Sequence, residues 1–416
     1  MINFERFTLN NGLKVLVHED HTTPMAVVNI LYNVGARDEK PEQTGFAHLF
    51  EHLMFGGSIH IPSYDSPLQQ VGGENNAFTS NDITNYYITL PAVNLETAFW
   101  LESDRMLSLA FSEQSLEVQR QVVCEEFKQR YLNQPYGDVW LHLRPMAYKV
   151  HPYRWATIGK ELKHIEDASM EDVKSFFRKF YTPQNAIMVV AGDVKVEQIK
   201  ALAEKWFADI PKGEPYYRNL PQEPQQLSAR REMIEADVPV DSIYIAFHGC
   251  DRLAKDYQTM DLLSDILSRG ASSRLYRSLV KEKQIFSEIN AYVTGSIDTN
   301  LFVVEGKPLA HVSLQDAEAM IWEEIDRIKS IPVEDFELQK VKNKIESTML
   351  FSELSILDKA MNLAYYEALG NAEEYNSESY RYLNVSADDV LRVAKSIFRT
   401  ENSSTLWYKS KGGSND

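Results

Sequence analysis

The sequence predicts an α+β fold of two homologous half-domains, each a mainly antiparallel sheet with helices packed on it. Three features of the 416-residue chain point there. Runs of alternating apolar residues give way repeatedly to runs with apolar residues three and four apart. A stretch from Pro211 to Arg231 sets Pro211, Pro215, Pro221 and Pro224 among Gln and Glu, which is linker composition. Beyond that stretch the apolar skeleton of the first half returns. The expected division is residues 1–210, a linker 211–231, and residues 232–416.

Leu13, Val15 and Val17 alternate after the turn Asn11-Gly12, and Ala26 to Tyr32 form a second strand closed by Gly35-Ala36. A helix is expected from about Thr44 to Phe55, since Phe46, Leu49, Phe50 and Leu53 recur at helical spacing and Gly56-Gly57 stops it. Asn75 to Leu90 is rich in aromatic and β-branched residues and reads as two strands broken near Ser80 to Asp82. Leu95 to Leu109, Ser115 to Leu132, Met170 to Phe180 and Val196 to Phe207 carry helical patterns, with a buried strand at Ala186 to Val190 ending at Gly192-Asp193. A shift of 213 residues then places His48 on Asp261, Glu51 on Ser264 and His52 on Asp265. NYYITLP (85–91) is echoed by NLFVVEGKP (300–308), and MEDVKSFFRKFYTPQN (170–185) by ADDVLRVAKSIFRTEN (387–402). The skeleton repeats and the polar chemistry does not, so the first half carries a site that the second lacks.

Lys plus Arg number 43 against 60 Asp plus Glu, a formal net charge of −17. So acidic a chain is a poor nonspecific binder of nucleic acid or of anionic membrane surface, both of which need basic patches. No stretch approaches the roughly 18 apolar residues of a membrane span. The first twenty residues lack a basic segment followed by an apolar one, and Cys124 and Cys250 are too few for a disulfide framework. A cytoplasmic setting is expected; a periplasmic one after removal of a signal fits the same text.

The sharpest local signal is His48-Leu49-Phe50-Glu51-His52. On a helix, positions i and i+4 share a face, so both imidazoles can converge on one ion, and zinc suits imidazole nitrogen. Glu51 lies on that face and can take a proton from a water at the ion. Catalytic zinc usually takes three protein ligands, so a third must come from elsewhere. Glu125 and Glu126 in QRQVVCEEF (119–127) are candidates, and only one can face the site because neighbours on a helix point about 100° apart. Val118, Val122 and Val123 do not decide between them. Cys124 reads as a small buried thiol rather than a soft ligand.

These motifs, with NNAFTSNDITNYYITLP (75–91), HPYRWATIGK (151–160), YTPQNAIMVVAGDV (181–194) and LSRGASSRLYRSLVKEK (267–283), resemble the pitrilysin-type (M16) zinc metallopeptidases, the inverzincins. The size is similar to the single-subunit branch, which includes the mitochondrial processing peptidase subunits and their bacterial relatives. The resemblance implies one zinc ion per chain held by His48, His52 and Glu126, with Glu51 as general base. It implies that Asn76, Ala77 and Phe78 lie on an edge strand to which an extended peptide adds by main-chain hydrogen bonds, a mode that asks for short or unfolded substrates.

The sequence departs from the family pattern in two ways. Gln119, seven residues before Glu126, stands where a second Glu is usual, so the surroundings of the zinc lose a negative charge. Val280 and Ser287 stand where active members present an Arg and, seven residues on, a Tyr; neither can stabilise a developing oxyanion. The resemblance therefore implies the metal-bearing subunit of a two-chain enzyme, with a homologous partner, or a second copy, supplying Arg and Tyr in trans. The alternative is a non-catalytic peptide-binding or assembly subunit of the same fold. His151 and the remaining histidines, which have no ligand spacing among themselves, read as structural.

Overall fold

The computed structural model describes residues 1–412. Its strands are β1 Glu5–Thr8, β2 Lys14–Glu19, β3 Met25–Tyr32, β4 Glu74–Thr79, β5 Thr84–Pro91, β6 Ala186–Gly192, β7 Arg230–Ala236, β8 Ser242–His248, β9 Phe286–Val293, β10 Leu301–Pro308 and β11 Ser403–Ser410. The helices that cover the sheets or carry the candidate site include α1 Phe46–Leu53, α2 Leu95–Leu107, α3 Glu113–Phe127, α4 Val139–Ala147, α5 Met170–Phe180, α6 Tyr257–Ser268, α7 Ile356–Ala368 and α8 Ala387–Ile397. The helix expected from Ser115 to Leu132 is α3 followed by a π-helical turn, Lys128–Leu132. Residues 211–227 carry no helix or strand, as their proline content dictates.

Two sheets form, with strand orders β1-β2-β6-β3-β5-β4 and β7-β11-β8-β10-β9. Apart from β1 they have one topology: β2, β6, β3, β5 and β4 correspond to β7, β11, β8, β10 and β9. Each has one parallel pair, β2–β6 in the first and β7–β11 in the second, and is otherwise antiparallel. The echoed sequence segments fall on matching elements, β5 with β10 and α5 with α8, and His48 and Asp261 fall on α1 and α6.

The two compact units are not contiguous halves of the chain. The first comprises Met1–Phe127, Trp155–Leu220 and Met349–Ser377; the second comprises Lys128–Arg154, Pro221–Thr348 and the described residues from Glu378 onward. Relative to the expected boundaries at 210 and 232, segments 128–154 and 349–377 are exchanged. Core packing gives the reason. A sheet in such a layered unit must cover its apolar face. In the first unit, Val27, Leu31, Val189 and Ala191 pack against Ala360, Leu363, Ala364 and Tyr366 of α7. In the second, Ala246, Leu301, Val303 and Leu406 pack against Val139, Leu143 and Met146 of α4. On the other face of the first sheet, Tyr86, Ile88 and Leu90 of β5 are fully buried.

Candidate metal centre

Helix α1 forms because Phe46, Ala47, Leu49, Phe50 and Leu53 make one buried face. The residues between them, His48, Glu51 and His52, are left half-buried on the opposite side. Gly45 stands at the N-cap with φ +87°, and a Cβ there would lie 2.6 Å from the Ile158 carbonyl oxygen, so only glycine fits. Glycine offers no capping side chain. Glu39 takes that role from the preceding turn, its carboxylate accepting the backbone N–H groups of Gly45 at 2.9 Å and Ala47 at 2.8 Å. Burial raises the Glu39 carboxyl well above the ordinary range, against the pull of those two N–H groups. Sequence reading missed this residue; its only signal is an acid shortly before a helix whose own N-cap is glycine.

The two imidazoles stand edge to face, with ring centroids 4.9 Å apart. Glu126 reaches both: its Oε2 lies 3.7 Å from His48 Nε2 and 3.5 Å from His52 Nε2. One ligand atom from each of His48, His52 and Glu126 lies within 4.8 Å of the others, and among the described residues this is the one such cluster of His, Cys, Asp or Glu. Two ligands at ~2.0–2.1 Å from a tetrahedral zinc sit roughly 3.4 Å apart. The observed spacing fits that geometry, and the donor set of two imidazoles and one carboxylate fits zinc. The three side chains keep 13, 23 and 18% of their surface, so the centre is open to a water or substrate atom.

Of the two glutamates the sequence left open, α3 turns Glu126 inward and Glu125 outward. Cys124 is buried and outside the cluster. Gln119 is half-buried, two helical turns before Glu126. Glu51 sits beside Thr79 at the end of β4; burial raises its carboxyl above the ordinary range, with Thr79 and His52 pulling the other way.

Strand β4 carries Asn76, Ala77 and Phe78 and is the last strand of its sheet. Its partner β5 pairs Asn76 with Tyr87, Ala77 with Tyr86 and Phe78 with Asn85. The Ala77 N–H donates to the Asn76 side-chain oxygen at 2.8 Å rather than to β5. That donor therefore points to the free edge, and the Asn76 amide shields it.

A buried polar pillar lies under the site. The Arg105 guanidinium of α2 makes two hydrogen bonds to Glu102, at 2.8 and 2.6 Å, and lies over the rings of Tyr64 and Tyr86. The Tyr86 hydroxyl in turn reaches the Phe50 carbonyl of α1 at 3.5 Å and the Tyr181 hydroxyl at 3.1 Å.

In the second unit, Val280 lies on a π-helical turn, Tyr276–Glu282. Ser287 lies on β9, where its hydroxyl donates to the Lys307 carbonyl at 3.0 Å. Asp261 and Asp265, which take the places of His48 and His52, face Tyr382 and Arg269 instead. His151 is buried, its Nδ1 accepting the Tyr153 N–H and its Nε2 meeting Asp298, which is a structural role.

A family model described as Insulinase (Peptidase family M16) matches residues 14–159, and one described as Peptidase M16 inactive domain matches residues 167–345. The zinc protease PqqE of Helicobacter pylori is 30% identical over 417 residues, covering 97% of this chain and 92% of that protein. The chain belongs to peptidase family M16. A protease structure from Helicobacter pylori superposes with a TM-score of 0.92 at 29% identity, over 98% of this chain and all of the other. A probable mitochondrial-processing peptidase subunit beta of Arabidopsis thaliana is 26% identical over 358 residues, 82% of this chain and 66% of that one. No helix among the described residues is long and apolar enough to cross a membrane.

Proposed function

We propose that the chain is a zinc metalloendopeptidase acting on short or unfolded peptides. The observation that carries this reading is the convergence of His48, His52 and Glu126 at zinc-ligand spacing, with Glu51 on the same helix face. Zinc, when bound, supplies Lewis acidity to the scissile carbonyl and to a water molecule. Glu51 accepts the proton of the attacking water and delivers it to the leaving nitrogen. The free edge of β4 holds the peptide extended, the outward Ala77 N–H exchanging its Asn76 acceptor for a substrate carbonyl.

The residues at 280 and 287 favour a second element of the proposal. Valine and a serine tied to a backbone carbonyl supply neither cation nor phenol for the oxyanion. The chain then acts as the metal-bearing member of a pair, with a homologous chain contributing those groups; the relative named as a beta subunit is consistent with that. The alternative, a peptide-binding or assembly subunit without chemistry, is disfavoured by the complete ligand set.

The test is a peptide-library digest with wild type and Glu51→Gln, each with and without the chain that co-purifies from the native host. Cleavage by wild type that Glu51→Gln loses while keeping its zinc is the expected result. No cleavage in any combination overturns the enzyme reading, and full activity of the isolated chain overturns the two-chain element.

A further inference from the structure

The metal cluster and β4 do not account for a cleft of about 630 Å3 in the first unit. Its walls are Thr22, Thr23 and Met25 leading into β3, Glu74, Asn75 and Asn76 of β4, Tyr87 and Thr89 of β5, and residues Leu354 to Leu357 at the start of α7. Register fixes which face of the sheet it occupies. Tyr87 pairs with Asn29 and Thr89 with Val27, so the cleft shares the face of Val27 and Leu31, which α7 covers. Tyr86, whose hydroxyl reaches α1, points to the opposite face. The metal cluster and the cleft thus lie on opposite faces of the sheet, and both border the free edge of β4.

A peptide added to that edge alternates its side chains between the two faces. Glu51 lies beside Thr79, at one end of β4; the cleft lies beside Glu74 to Asn76, three to five residues away. At ~3.3 Å per residue this is roughly 10–16 Å along the peptide. On the α7 side the lining is Leu354, Ile356 and Leu357 with Ser355 among them; Leu354 keeps 78% of its surface, and Phe351, three residues earlier in the preceding helix Asp335–Ser352, keeps 72%. Exposed leucine and phenylalanine so close together, continuous with a binding edge, are the composition of a contact surface. The lining contains one charged residue, Glu74.

Building on the peptidase reading, we infer that this cleft is a second recognition point for the same peptide, taking a large apolar side chain three to five residues from the scissile bond. The cleft then selects substrates by length and by one remote apolar residue, while the main chain on β4 supplies sequence-independent affinity.

Two fluorogenic peptides with one scissile core test it. The short one carries three residues on each side; the long one adds five more on each side, with leucine or serine scanned through the remote positions. The protein is the zinc-loaded chain with whatever partner it needs. Leucine at one remote position should raise kcat/KM roughly tenfold, mostly through KM, the yield of a partly buried aliphatic side chain. Leu354→Asp should remove that gain and leave the short peptide unchanged. Thr89→Trp, which fills the cleft from β5, should do the same. On zinc-loaded Glu51→Gln, anisotropy should give the same ranking of peptides by Kd.

The inference is overturned if no remote leucine helps, or if both variants retain the gain. A change of molecular mass in Leu354→Asp without any change in cleavage would assign the patch to a protein partner and also overturn it. Cleavage of the short peptide reports separately on the peptidase reading; its absence sinks that reading and this one together.

Discussion

Glu102→Ala should be among the most damaging single substitutions in the first unit. Glu102 and Arg105 each keep 1% of their side-chain surface. The substitution removes two guanidinium–carboxylate hydrogen bonds and the Tyr64 hydroxyl's bond to Glu102 at 2.6 Å. It also leaves a buried cation with only aromatic faces around it, the rings of Tyr64, Tyr86 and Phe55 at 4.6, 4.5 and 5.6 Å from its centre. Hydrogen bonds to charged groups contribute about 1.5–3 kcal/mol each, and ring contacts recover about 1–2 kcal/mol of the loss. Breaking a buried pair from one side typically costs about 3–5 kcal/mol, so a loss near 4 kcal/mol is expected. With a urea m-value of about 3 kcal/mol/M, the midpoint of the first unit falls by about 1.3 M. Urea titration read by hydrogen exchange at β3 and β5 follows that unit alone. The double variant Glu102→Leu, Arg105→Met removes both charges and fills the space, so it should be less destabilised than Glu102→Ala alone. A single variant within 1 kcal/mol of wild type, or a double variant that is worse than the single, would refute the reasoning.

Other outcomes follow from the same structure. Metal analysis should find about one zinc per chain in wild type and close to none in His52→Ala. Gln119→Glu should tighten zinc binding about tenfold in a chelator competition, and unchanged affinity and kcat would remove Gln119 from any role at the metal. Leu363→Ala, at a fully buried position of α7, should cost about 2–5 kcal/mol, with amide protection lost in β3 and β6 and kept in β8 and β10. Lys359, 2.6 Å away, and Thr22 hold the Asp20 carboxyl well below the ordinary range. A depressed folded pKa stabilises above the unfolded value and loses that contribution as pH falls through it. Asp20→Asn should therefore cost about 1–2 kcal/mol at pH 7, and the gap to wild type should close progressively below about pH 4.5 in thermal melts.

Periodicity made most elements legible, since the apolar stripe of α1 and the alternation of β5 follow directly from which residues must leave water. The repeated skeleton anticipated two sheets of one topology. The spacing of His48, Glu51 and His52 carried the site, because helical geometry alone puts them on one face. The choice of Glu126 over Glu125 came only from the family resemblance, and the coordinates place Glu126 against both histidines. What the sequence hides is which sheet a helix covers. The apolar stripe of α7 says that it packs on something, and nothing in its spacing says that the partner is β3 and β6, some 330 residues and 170 residues earlier. Glu39 was hidden for a related reason: a carboxylate that caps a helix from outside has no periodic signature.

The exchange of segments has a consequence for synthesis. The strands of the first sheet have all been translated once residue 192 is reached, yet the helix that covers Val27, Leu31, Val189 and Ala191 ends at Ala368. At ~5–20 residues per second, the nascent chain spends roughly 10–35 s with that apolar face bare. A fragment cut at the proline-rich linker would keep it bare permanently, so the amino-terminal half expressed alone should aggregate although it contains all three proposed zinc ligands.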